Sequence, residues 1–451
     1  MPEKLRGLTD GYVKVGDKMN GGHLKRKKKF KFYQRKISNY VCTKWMFIVV
    51  LLLIWLVWLI WYLSVRSKPH PQSYGELVLI PTELANEKGA YCLDGTPPGY
   101  YFRKGHGDGE NSWIVYLQGG GWCWNVSDCY ARSNTELGSS AYFNLTYPFE
   151  GFLSSCAKSN PDFHNWNVAY LAYCDGASFA GNQPVPTKYD GNEIFFRGKR
   201  VLDLLLDYLM DQGLRSADRV ILSGVSAGGL AVYIHADYIR SKFPPQTAFH
   251  AFPDAGYFPN IRNATNFEHI KISFQRVYNL QRVQDSLNAA CLADQDRNSK
   301  WKCFFPQYTY PYITTPIFVL NSAYDYWSLW FIMNVRCYIS DCDAKGIFYY
   351  KHFHDQAFEI TQLIYKSSKD GIYVTSCYAH SQAVFDHEWT GYVVNGTTPA
   401  AAFGDWYFGR KTVQQSKYWD CATPACNPTC DWSLEYYKSV TGRLGRFDFF
   451  I

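Results

Sequence analysis

Two hydrophobic patterns divide this chain. From Trp45 to Val65, 21 residues (WMFIVVLLLIWLVWLIWYLSV) pass without a charge, whereas beyond residue 90 apolar positions come in short runs separated by helix-length stretches. A helix of 21 residues rising 1.5 Å per residue spans a hydrocarbon core of about 30 Å. Residues 45–65 are therefore predicted to be a transmembrane helix. Trp45, Trp61 and Tyr62 at its ends suit the interfacial belts, although Trp55 and Trp58 lie deeper than that rule places them. A cleaved signal peptide fits less well, because the basic region and the apolar run are both too long and no small-x-small site precedes Arg66.

The second pattern reads as alternating strands and helices. Strands are expected at Trp113–Leu117, Val168–Tyr173, Val220–Leu222, Ala248–Phe252 and Ile317–Asn321, and helices at Phe196–Gln212, Gly229–Phe243 and Ala357–Ser367. Such alternation predicts an α/β sandwich with a mainly parallel sheet. No repeat or internal linker splits it. The expected organisation is a basic tail (1–44), the helix (45–65), a polar, Pro-containing stalk (66–89), a catalytic domain (90–430) and a C-terminal extension (431–451).

Charge changes the picture at the N-terminus only. The net +7 hides thirteen Lys/Arg against Glu3, Asp10 and Asp17 in residues 1–44, a local +10, so the rest carries −3 and a nucleic-acid partner is not expected. Eight basic residues between Lys25 and Lys36, against Arg66 and Lys68 beyond the helix, predict a cytosolic N-terminus. The protein is thus expected to be a single-pass type II membrane protein with its large domain lumenal or extracellular. Cysteine usage agrees. Thirteen of the 14 cysteines lie beyond the helix, with Cys42 alone before it, which suits disulfides formed in an oxidising compartment. Cys123/Cys129, Cys291/Cys303, Cys337/Cys342 and the Cys421/Cys426/Cys430 cluster are candidates for local bridges, and an odd thiol is left over. No ligand spacing points to a metal. Sequons at Asn125, Asn144, Asn263 and Asn395 are candidate glycosylation sites.

Chemistry concentrates at the ends of the strand-like runs. Arg219-Val-Ile-Leu-Ser-Gly-Val-Ser-Ala-Gly-Gly-Leu230 places Gly-x-Ser-x-Gly between an apolar run and a helix-like segment, the pattern of a nucleophile elbow. Ser226 is the candidate nucleophile, and the Ala227 N–H a candidate oxyanion donor. Leu117-Gln-Gly-Gly-Gly-Trp122 follows another strand-like run and offers Gly120 and Gly121 as further donors. In the order serine, acid, histidine of α/β-hydrolases, Asp325 fits the acid after Ile317–Asn321, with Asp254 as runner-up. Among eleven histidines, His235 lies only nine residues along the elbow helix, about 13 Å from Ser226 along the axis. His352 and His354 sit beside a strand-like run without a loop signal. His380 follows a short β-branched run and is the candidate base, ahead of His387.

At these residues the chain resembles the pectin acetylesterase/Notum family of serine carboxylesterases, closer to the pectin acetylesterase branch. The matching segments include Cys92–Gly99, Gly119-Gly-Gly-Trp-Cys123, Tyr173–Phe179, Phe196-Arg-Gly198, Ser223–Ala231, Asp254–Phe258, Ala323-Tyr-Asp325, Ser376-Cys-Tyr-Ala-His380 and Cys426–Cys430. The resemblance implies an α/β-hydrolase-like three-layer sandwich, a triad on Ser226, Asp325 and His380, and an oxyanion hole on Gly120, Gly121 and Ala227, with no cofactor. Gln118 departs from the family's usual Glu, and Val225 and Ser381 stand where plant members often have Cys. Gly121 occupies the place of a bulky aromatic in Notum-type enzymes, which favours O-acetyl esters of pectin-like or other polysaccharides. A palmitoleoylated protein is the alternative substrate, and an inert membrane-tethered binding module the second alternative.

Overall fold

A computed structural model describes residues 45–46, 48–59 and 73–444. The chain divides into two compact units, residues 1–70 and 71–451. Residues 45–46 and 48–59 are helical with largely exposed apolar side chains. Among the described residues no helix is long and apolar enough to cross a membrane. The rest of the span predicted at Trp45–Val65 lies outside the described residues, as does the basic tail.

In chain order the strands are β1 (Ser73–Leu79), β2 (Gly99–Arg103), β3 (Ser112–Leu117), β4 (Thr146–Phe149), β5 (Asn167–Leu171), β6 (Thr187–Tyr189), β7 (Asn192–Ile194), β8 (Arg219–Val225), β9 (Ala248–Asp254), β10 (Phe318–Ser322), β11 (Gly371–Thr375) and β12 (Lys417–Trp419). Ten of them form one sheet in the order β12-β11-β10-β9-β8-β3-β5-β2-β1-β4, while β6 and β7 pair as a separate hairpin. From β12 to β5 every neighbouring pair is parallel. The remaining edge is antiparallel. The chain runs from β3 to β5 on one side and then to β8 on the other, so a topological switch point lies between β3 and β8. Ligands of open α/β sheets bind at such a point, beyond the carboxyl ends of the strands.

Both faces of the sheet are covered. On β3, Trp113, Val115 and Leu117 join one core with the helices Gly198–Asp211 and Ala227–Arg240, while Ile114 and Tyr116 join a second core with Trp389, Phe403 and Trp406. Burial on both sides is why the parallel strands read as continuous apolar runs. The result is the mixed α/β, three-layer arrangement that suits an α/β-hydrolase-like fold.

The structure departs from the sequence reading in several places. The stretch expected as a stalk at 66–89 contains β1, paired with β2 and β4, and the helix Thr82–Lys88. Its alternating pattern, buried at Ser73 and Gly75 and exposed at Tyr74 and Glu76, suits a half-covered edge strand that a polar composition disguises. The helix expected at Ala357–Ser367 begins earlier, at Ala344, and carries His352 and His354, which a strand-like reading had set apart. Within the extension expected at 431–451, helix Leu434–Leu444 lays Tyr436 and Tyr437 against the core.

Six disulfides join Cys92–Cys174, Cys123–Cys129, Cys291–Cys303, Cys337–Cys342, Cys377–Cys430 and Cys421–Cys426. The four short-range bridges among them are ones that spacing suggested. Cys430 leaves its cluster for Cys377, and Cys156 is the odd thiol of the domain. Six bridges suit a secretory or extracellular compartment.

Candidate active site

Ser226 occupies the turn between β8 and helix Ala227–Arg240 with φ 57° and ψ −123°. A left-handed φ at a non-glycine residue is strained, and this geometry projects the side chain out of the turn. The strain persists because the surroundings determine it. Its N–H donates to Asp254 O at 3.0 Å, and its carbonyl accepts the first helical bond from Leu230 N at 2.9 Å. Glycine is required where the arms meet, since a Cβ on Gly228 would lie 2.0 Å from Leu117 O.

Three strand ends converge on the hydroxyl. His380, in the loop after β11, lies with Nε2 2.8 Å from Ser226 Oγ and Nδ1 2.6 Å from Asp325 Oδ2. Asp325 follows β10. An ionised carboxylate only accepts, so Nδ1–H donates to Asp325 and Nε2 is left to accept from the serine hydroxyl. Asp325 Oδ1 also accepts from Ser328 N at 2.7 Å, capping helix Tyr326–Phe331 and fixing the carboxylate. Asp325 is 2% exposed, His380 7% and Ser226 9%, so little water competes for these bonds.

The loop after β3 forms the facing wall. A Cβ on Gly119 would lie 2.3 Å from Val225 O, which places the loop directly against the elbow. Gly120 and Gly121 have φ 145° and 67°. Two side chains hold the loop from behind. Buried Arg132 donates from Nη1 to Gly120 O at 2.8 Å and from Nε to Leu137 O at 2.9 Å. The Tyr173 hydroxyl donates to Gly121 O at 2.8 Å, and its ring lies 5.0 Å beneath the guanidinium. A trans peptide holds C=O and N–H antiparallel, so fixing Gly120 O aims the Gly121 N–H away from Arg132. Ser178 links the glycine loop to the elbow helix, because its Oγ accepts from Trp122 Nε1 at 2.8 Å and donates to Ala227 O at 2.7 Å. Burial pulls the Arg132 guanidinium down and pushes the nearby Asp175 carboxyl up to about 6. Gln118 Oε1 accepts from Tyr173 N at 2.8 Å, a bond that a glutamate oxygen would also accept.

Asp254, the runner-up for the acid, is placed elsewhere. Its Oδ2 accepts from Gln382 N and Ala383 N, each at 2.8 Å, tying down the loop that carries His380. Burial is the main cause that pushes its carboxyl up to about 7, against those two bonds. His235 is buried, with Nε2 3.1 Å from Ser178 O, and burial pulls its pKa down to about 4. His387 is exposed beside Glu388. Sequence reasoning missed Arg132, Tyr173 and Ser178, whose roles depend on partners on other elements. Of the sequons, Asn144 and Asn395 are exposed, whereas Asn125 and Asn263 are partly covered and engaged in local turns. Among the described residues no group of His, Cys, Asp and Glu is placed to hold a metal ion.

A sheet of this type, with a hydroxyl, an imidazole and a carboxylate aligned beyond its strand ends, is the architecture of ester hydrolases, and the chain is a carboxylic ester hydrolase. Residues 71–431 match the model of the pectinacetylesterase family, and the chain belongs to that family. It is 39% identical over 380 residues to pectin acetylesterase 5 of Arabidopsis thaliana, covering 81% of this chain and 87% of that protein. Identity to pectin acetylesterase 7 of the same plant is 37% over 374 residues, 79% of this chain and 93% of that protein. The palmitoleoyl-protein carboxylesterase NOTUM of Mus musculus is more distant, at 26% over 378 residues, 79% of this chain and 73% of that protein.

Proposed function

We propose that this protein is a membrane-anchored serine esterase that removes O-acetyl groups from a polysaccharide through an acyl-enzyme. The single observation that carries the reading is His380, within hydrogen-bond reach of both Ser226 and Asp325. His380 Nε2 takes the Ser226 proton as Oγ attacks the ester carbonyl, and Asp325 stabilises the imidazolium. The Gly120, Gly121 and Ala227 N–H groups receive the oxyanion. His380 then protonates the leaving alcohol, and water repeats the sequence to release acetate and restore Ser226.

A short acyl group is supported by the wall beside the imidazole. Trp122, Phe258 and Trp327 touch one another with ring centroids 4.9–5.7 Å apart, and Phe258 and Trp327 lie 6.3 and 6.0 Å from the His380 ring. These rings wall the imidazole with apolar surface against which a short acyl methyl would rest. The anchor reading is supported by the uncharged run at 45–65 and by the exposed apolar side chains of its described residues. With the basic segment before it, the enzyme domain would be lumenal or extracellular.

Ser226→Ala tests the chemistry. Hydrolysis of p-nitrophenyl acetate is expected to fall by roughly 10⁶ while the thermal midpoint holds. Residual activity near wild type would remove the serine from the mechanism. For the anchor, protease added to intact vesicles should trim only the N-terminal tail, and protection of that tail with digestion of the domain would reverse the topology.

A further inference from the structure

The loop that carries His380 is held at its two ends by different means. His380 lies three residues after Cys377 and two before Gln382. On the first side Cys377 is bridged to Cys430, and its carbonyl accepts from the Ser322 hydroxyl. On the second side no covalent link holds the chain. There a single oxygen, Asp254 Oδ2, accepts from both Gln382 N and Ala383 N at 2.8 Å.

Asp254 also stands where the other two members of the triad are fixed. It ends β9, which lies between β8 and β10 in the sheet. Its carbonyl accepts from Ser226 N at 3.0 Å, and a Cβ on Gly229 would lie 2.6 Å from that oxygen, so the elbow helix rests directly on this peptide. The next residue, Ala255, donates its N–H to Leu320 O of β10 at 2.9 Å, five residues before Asp325. Backbone and side chain divide these tasks. Any residue at 254 supplies the carbonyl for Ser226, whereas only a side-chain acceptor of this reach closes the His380 loop. Asp254, Gln382 and Ala383 are each 0% exposed, so water is not at hand to replace the lost oxygen and two N–H donors would be left without an acceptor. The loop satisfies them only by moving, and a misplacement of about 1 Å at a reacting group costs as much as ~10²-fold in rate.

We propose that the Asp254 side chain is a positioning residue, which sets the His380 imidazole between Ser226 and Asp325 without touching the reacting atoms. The proposal rests on the serine esterase reading above and adds to it the group that aligns its base. Asp254→Leu has the same branching at Cγ without an oxygen, and Asp254→Asn keeps an oxygen that accepts both bonds. With the full chain and p-nitrophenyl acetate, Asp254→Leu should lower kcat at least tenfold with KM held within threefold, while Asp254→Asn should keep kcat within threefold of wild type. A merely structural role lowers the urea midpoint of Asp254→Leu and leaves kcat of the folded enzyme unchanged. A folded Asp254→Leu with kcat less than tenfold below wild type, or Asp254→Asn as impaired as Asp254→Leu, overturns the proposal. Should Asp254→Leu fail to fold, Asp254→Ala takes its place under the same criterion. The second readout is the proton NMR resonance of His380 Nδ1–H, held by its 2.6 Å bond to Asp325. Should Ser226→Ala retain hydrolysis, the nucleophile reading fails separately and this resonance decides the positioning role: its loss in Asp254→Leu with persistence in Asp254→Asn upholds it, and its persistence in both overturns it.

Discussion

Arg132→Met isolates the support of the proposed oxyanion loop from the residues proposed to perform the chemistry. Methionine is close in length and apolar, so it fills the space behind the loop while releasing Gly120 O from its 2.8 Å bond with Nη1. A hydrogen bond to a charged group contributes about 1.5–3 kcal/mol, and at 1.36 kcal/mol per decade its loss corresponds to a ~10- to 150-fold lower kcat if the bond serves to aim the Gly121 N–H. Complete loss of one oxyanion donor, at ~10²–10³, sets the ceiling. Stability should fall less than the removal of a buried cation suggests. Methionine avoids the cost of burying the guanidinium, and Asp175, whose carboxyl burial already pushes up to about 6, takes up a proton. The assay is p-nitrophenyl acetate hydrolysis, with kcat and KM measured separately, beside inhibition by an aryl trifluoromethyl ketone whose adduct places an oxyanion in the hole. The loss in kcat should be matched by an equal loss in inhibitor affinity, with KM held within a fewfold. A folded variant with kcat and inhibitor affinity both within twofold of wild type would refute the reasoning.

Other consequences follow from the same structure. The Asp254 carboxyl is raised to about 7 from 3.8, so the folded state binds the extra proton and this group's stabilisation falls as pH rises through that window. Asp254→Asn keeps an acceptor for Gln382 and Ala383, so wild-type stability relative to the variant should fall by on the order of 3 kcal/mol between pH 5 and 8 in denaturant titrations, and a flat difference would reject the shift. Removing the Cys92–Cys174 bridge by a double alanine replacement opens a loop closed across 82 residues and should cost about 4 kcal/mol, read from the urea midpoint. Alkylation of the unreduced, denatured protein should label Cys156 and none of the twelve cysteines in the six bridges, as peptide mass spectrometry would report. Glycan occupancy should be high at exposed Asn144 and Asn395, and their conversion to Gln should abolish most of the mobility shift on enzymatic deglycosylation.

The chain by itself determined the parallel core and the positions of the candidate site residues along it. Strands buried on both faces are continuous apolar runs, the elbow is a local Gly-x-Ser-x-Gly, and acid and base follow strand-like runs in a required order. Those signals lie within a few residues of one another. Distant pairings carry no such local mark. Strand β1 falls in the stretch that composition reads as a stalk, because its partners on β2 and β4 lie up to 76 residues away, as with Ser73 and Phe149. The Cys92–Cys174 and Cys377–Cys430 bridges, separated by 82 and 53 residues, escaped spacing rules for the same reason. Only the closed fold decided that Asp325 faces His380 while Asp254 clamps the loop behind it, since both are acids at strand ends. The buried Arg132 beneath the glycine loop is likewise a product of tertiary packing, in which a charge is stabilised by carbonyls and a ring brought together from elements remote in the chain.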